Sequence, residues 1–141
     1  MRISTLLIAD AARVRDGLLS VIGGGVTNIS AAGFPMNPQA DLAVIVDVAP
    51  GEWPGQFPVR ITLERADSAG SGETLIGYEG LYAGEIKRPD EPALVPLAMT
   101  LGPLEVPAPG RYEVVVAIGD LPVERLPLVV AEIELPPVFA Q

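Results

Sequence analysis

Pro109-Gly110-Arg111-Tyr112-Glu113-Val114-Val115-Val116-Ala117-Ile118-Gly119-Asp120 is the stretch whose reading decides the fold. It opens on turn chemistry, because Pro presets φ and Gly accepts a positive φ. A tyrosine follows, and Tyr112, Val114, Val116 and Ile118 then share one face of a period-2 strand. Gly119-Asp120 is a second tight turn. A tyrosine entering a strand just after such a turn is the local pattern of a tyrosine corner, in which the phenol bonds back to the preceding connection of a β-sandwich.

The same alternation recurs on both sides of that stretch. Leu42, Val44, Val46 and Val48 fall on one face of a strand over 41–48, with Asp41 and Asp47 on the other. Phe57, Val59, Ile61 and Leu63 do so over 57–65. Residues 74–84 read as a strand with Ile76, Tyr78 and Tyr82 together. Residues 94–101 carry Pro96, so that strand reads as an edge or as bulged, and 121–130 carry Pro122 and Pro127 and read as an edge, where a missing N–H is tolerated. Nearer the start, Ile3 to Ala9 is a strand and Asp10-Ala11-Ala12 a bend. Asp16-Gly17 then closes a hairpin between Arg13–Arg15 and Leu18–Ile22, since a type I′ turn wants φ > 0 at both positions. Gly23-Gly24-Gly25 marks a bulge or a corner where the chain changes sheet.

Composition supports one mostly antiparallel β-sandwich domain, immunoglobulin-like in topology, over 1–130, followed by an apolar tail over 131–141. The chain has 141 residues, 49% hydrophobic, and its 15 Gly and 15 Pro are spread throughout, which leaves no room for long helices. The tail can dock on its own domain, add to a neighbour's edge, or stay disordered.

Charge and missing residue types narrow the function. Eighteen acidic against nine basic residues give a formal charge of −9, so a cationic stripe for nucleic acid is lacking and an anionic membrane surface is disfavoured. The opening apolar run is ended by Asp10, too early for a secretory segment, and no run reaches spanning length; a cytoplasmic protein without membrane insertion is expected. There is no cysteine and no histidine, which removes thiol chemistry, zinc-thiolate sites and the usual general base.

The remaining chemistry is thin. Ser4, Ser20, Ser30, Ser68 and Ser71 have no base to activate them. Asp41 and Asp47 stand roughly 20 Å apart along their strand, too far to act as a pair. Asp10 and Asp16 are explained as bend and turn residues. Asp90-Glu91 and Glu132-x-Glu134 are too sparse for a calcium cage. No enzyme, cofactor or metal site is expected.

The pattern Leu7-Ile8-Ala9-Asp10-Ala11-Ala12-x-Val14-x-Asp16-Gly17-Leu18-Leu19-x-Val21-Ile22-Gly23-Gly24 resembles the opening of a family of small, uncharacterised bacterial proteins thought to be β-sandwiches. Its shared form is roughly L-x-A-D-x-A-x-V-x-D-G-K-L-x-V-x-G; Leu18 stands where the family has Lys. The family also tends to close with a Pro-Gly-x-Tyr strand and hairpin, as residues 109–130 do. The resemblance implies an immunoglobulin-like sandwich and carries no activity or functional residue.

A non-catalytic protein-interaction or assembly module is therefore the leading expectation, with a protein partner or self-association. A mean hydropathy of +0.39 is high for a soluble monomer. Candidate contacts are Val138 and Phe139 in the tail and Trp53 in the loop 49–56. Trp53 reads either as a hot spot or as a side chain tucked over the sandwich end. The alternative is a small-ligand or carbohydrate-binding sandwich that stacks its ligand on Trp53, Tyr78 and Tyr82.

Overall fold

Alternating apolar positions and Gly/Pro turns organise this chain into strands alone. The computed structural model describes residues 1–66, 72–84 and 86–134. Among these, nine strands form and no helix does: β1 (Arg2–Arg15), β2 (Leu18–Gly24), β3 (Asn28–Ala31), β4 (Asp41–Val48), β5 (Gln56–Arg65), β6 (Thr74–Ala83), β7 (Ala93–Thr100), β8 (Gly110–Ile118) and β9 (Glu124–Glu132). They build two sheets, ordered β2-β1-β4-β7 and β3-β9-β8-β5-β6. Every pairing is antiparallel except β3 with β9.

The two sheets share one core. Leu42, Val44 and Val46 enter it from the first sheet, and Ile61, Leu63, Val114 and Val116 from the second. All seven are fully buried, and each such side chain contributes roughly 1.5–3 kcal/mol relative to exposure. Phe34, in the loop before β4, packs against it half-buried.

Tyr112 sits near the start of β8 and its hydroxyl donates to the Ala108 carbonyl at 2.5 Å. The turn-then-tyrosine reading thus gives the expected contact. Outside the core on this sheet, Arg125 donates to Glu64 at 2.9 Å and to Glu113 at 3.1 Å. Glu64 is buried, and the guanidinium supplies it with a positive charge and a charge-assisted donor.

Two expectations are corrected. The chain does not bend at Asp10-Ala11-Ala12; β1 runs on as one strand of 14 residues. Its first half pairs with β4 and its second half with β2. At the start of β4 the Asp41 side chain takes over: its carboxylate accepts the Ala12 N–H at 2.9 Å, so extended backbone keeps a partner there. The last strand, expected at an edge, lies instead between β3 and β8. Its Pro127 is nonetheless accommodated by the same physics. The Val129 N–H donates to the Thr27 carbonyl at 2.8 Å, so Pro127, two residues earlier, turns its nitrogen to that same side. The β3 pairing begins only at Val129, so that side is still open at Pro127.

Strand β7, with Pro96, is an edge as expected. The final strand extends to Glu132, and the Ile133 N–H donates to Ala31 at 3.0 Å, so the first residues of the expected tail continue the sheet.

Candidate interaction surface

Among the described residues, nine large apolar side chains are exposed, and four of them, Val14, Leu18, Val21 and Ile22, lie in the β1–β2 hairpin. Asp16 and Gly17 adopt φ of 53° and 75°, the two left-handed positions of a type I′ turn, and Arg15 pairs directly with Leu18 across it. Side chains then alternate. Leu18, Ser20 and Ile22 share the outer face with Ala11, Arg13 and Arg15, while Leu19 and Val21 share the inner face with Ala12 and Val14. Leu18 and Ile22 are each 71% exposed. Strand β2 is also the last strand of its sheet. It contains neither Pro nor a charged residue.

The other three outermost strands are guarded. β7 carries Pro96, β3 has only four residues, and β6 holds Glu79 and the glycines Gly77 and Gly80. Proline, charge and shortness are the usual devices that stop one sheet edge from adding to another. Strand β2 has none of them.

A second feature lies between edges β6 and β7. A groove of about 320 Å³ opens there, lined by Tyr78, Leu81 and Tyr82 on one side and Pro96 and Met99 on the other, with Val14 of the hairpin overhanging it. The Tyr78 hydroxyl donates to the Thr100 carbonyl and ties the two edges together. Burial, and secondarily the Asp41 carboxylate, push the Tyr78 phenol above the ordinary tyrosine range. It is therefore a neutral donor at ordinary pH.

Trp53 lies beside this groove rather than in it. It is half-buried, its indole N–H donates to the Gly84 carbonyl at 3.1 Å, and its ring stands edge-on to Phe57 and Tyr82 at 5.7 and 6.3 Å. Phe57 and Tyr82 stack at 5.2 Å. The three named aromatics of the ligand reading are thus neighbours in part: Tyr78 and Tyr82 line the groove, and Trp53 backs Tyr82. Val138 and Phe139 lie outside the described residues.

Sequence reading missed Leu18 and Ile22 as surface residues. The signal was present, since Leu18-Leu19-Ser20-Val21-Ile22 is apolar at both parities. Only a strand covered on both faces, or one that leaves a face for another molecule, makes sense of that pattern.

Among the described residues no three acidic side chains gather as a metal cage, and no helix is long and apolar enough to cross a membrane. The class is an all-β protein of two sheets, mostly antiparallel, around one core. The match of a family profile to residues 4–131 makes the relationship specific: this chain belongs to DUF6941, a family of unknown function. A search of curated proteins found no matching relative.

Proposed function

We propose that this chain is a non-catalytic protein-interaction or assembly module of the cytoplasm, built on an immunoglobulin-like sandwich. Strand order supports the topology. Strands β1, β4 and β7 correspond to A, B and E of that plan, and β9, β8 and β5 to G, F and C, with β6 as the added C′. Tyr112 near the start of the F-like strand β8 agrees independently. In this scheme β2 is an addition outside the shared plan, and it is the strand that carries the exposed apolar face.

The observation that carries the functional reading is that unguarded edge: an outermost strand without proline or charge, with Leu18 and Ile22 each 71% exposed. Backbone groups at such an edge add a strand from a partner, and apolar side chains supply the burial. The test is purification of the native protein from its own cell under mild salt, with identification of what accompanies it and mass by light scattering. A stoichiometric companion or a discrete homo-oligomer is expected. A clean monomer without a companion counts against the reading.

The groove between β6 and β7 favours a second reading, a site for a small ligand with an apolar or aromatic face stacked on Tyr78 and Tyr82. Trp53 backs Tyr82, so a ligand entering the groove changes its emission. Titration with a phenyl glycoside, followed by Trp53 fluorescence, checks this; unchanged emission and quenching would remove it.

A further inference from the structure

We infer that strand β2 pairs with β2 of a second copy of this chain, antiparallel and centred on Ser20, joining the two β2-β1-β4-β7 sheets into one continuous sheet across a two-fold axis. The inference rests on the interaction-module reading and names its partner. Three observations carry it.

The first is the direction of the backbone groups. A two-residue hairpin loop closes on a hydrogen-bonded pair, here Arg15 with Leu18. Leu18, Ser20 and Ile22 therefore turn their amides and carbonyls toward β1. Leu19 and Val21 turn theirs toward the open side of the sheet. In an antiparallel pair centred on Ser20, Leu19 stands opposite Val21 of the second copy and Val21 opposite its Leu19. Those are the two residues whose backbone groups point outward, so the register that aligns them is the register that bonds them.

The second is that the side-chain pattern reads the same in both directions about Ser20. Leu18 meets Ile22 on the outer face, and Leu19 meets Val21 on the inner face, each twice by symmetry. A two-fold interface requires such self-complementarity, because one patch must fit itself. A strand evolved for a different partner has no reason to be palindromic in hydrophobicity. Leu18 and Ile22, each 71% exposed alone, would cover one another.

The third is charge. The protein carries a formal −9, so most surfaces brought face to face with themselves oppose like charges. Here the row through the axis is Arg13, Ser20, then the same two residues in reverse order. The two Arg13 side chains are three strand spacings apart, about 14 Å, beyond a Debye length at physiological salt. Past the apolar segment, the Asp16-Gly17 turn falls beside Gly23 and Gly24; Asp10, whose carboxylate lies against Gly23, is an acidic side chain that it approaches there, at the end of the paired segment and away from the axis.

Substitution of Ser20 tests the axis itself. The full chain is measured by sedimentation equilibrium as wild type, Ser20→Lys, Ser20→Glu, and a one-to-one mixture of the two variants. Circular dichroism and thermal unfolding confirm that each variant folds. The wild type is expected to be a dimer. Each variant sets like charges directly opposite at the axis and raises the dissociation constant by about fivefold or more. The mixture opposes an ammonium to a carboxylate and restores dimer, now as the heterodimer. A wild-type monomer overturns self-pairing, and native purification then decides whether a different partner keeps the broader reading alive. A dimer indifferent to both variants, or variants that dissociate without rescue on mixing, overturns this edge and register.

Discussion

Tyr112 and Tyr78 show how one hydroxyl can be structural in two different ways. Tyr112 is buried to 1% exposure, and its phenol closes on Ala108 four residues back. Tyr112→Phe keeps the ring in the core, removes the donor and leaves the Ala108 carbonyl short of a partner. The expected cost is about 1–2 kcal/mol, read as a lower urea midpoint at unchanged slope. Tyr78 acts between sheet edges and is sensitive to pH. Burial, then Asp41, raise its folded-state pKa above the unfolded value. The neutral phenol's contribution is therefore complete below the unfolded value near ~10 and is lost as pH rises through the folded one. Unfolding followed between about pH 9 and 12 should show stability falling in the wild type and a shallower fall in Tyr78→Phe. An identical slope in both would mean that other groups govern the alkaline limb. The phenylalanine variant should also start lower at neutral pH, having lost the bond to Thr100.

Elements were legible where local pattern and tertiary position agree. The strands over Asp41–Val48 and Gln56–Arg65, the Asp16-Gly17 hairpin, the Pro96 edge and the Tyr112 contact all follow from alternation and turn chemistry. The misreadings fall where a distant residue intervenes. Asp10-Ala11-Ala12 looks like a bend because nothing local marks it as strand; the pairing of Ala11 and Ala12 with Ile22 and Val21 of β2, together with the Asp41 carboxylate 29 residues away on the Ala12 N–H, keeps it extended. Pro127 looks like an edge marker, and over half of its strand it is one; the parallel pairing of β3 covers only the other half. The candidate surface was half legible: the hairpin was, and the exposure of its Leu18 and Ile22 was not, because exposure depends on what lies beyond the edge. The end of β2 offers a direct check. Gly23 adopts a φ of 63°, and an added Cβ would fall 2.3 Å from the Asp10 carboxylate. Gly23→Ala is expected to cost about 1–2 kcal/mol in stability through left-handed strain, since the Asp10 side chain can move aside. A thermal midpoint unchanged from wild type would show that this strand end relaxes without cost.

At the scale of the whole molecule, the acidic balance and the neutral edge pull in opposite directions, and salt separates them. Each chain carries −9, so two copies approaching one another repel over the distance that the surrounding ions leave unscreened. The contact proposed at β2 is apolar and backbone-mediated, with no charged pair across the axis. Added salt should therefore screen the general repulsion without weakening any specific attraction. Self-association measured from about 0.02 M to 0.5 M sodium chloride is expected to tighten as salt rises, by several-fold, with most of the change below about 0.15 M, where the screening length shortens to about 8 Å. A basic partner held by the acidic surface would behave in the opposite sense and release as salt rises. Association of this chain with itself that weakens with salt would mean that charged pairs, not the β2 edge, hold the copies together. The sign of the salt dependence thus distinguishes the neutral edge from the acidic surface before any residue is changed.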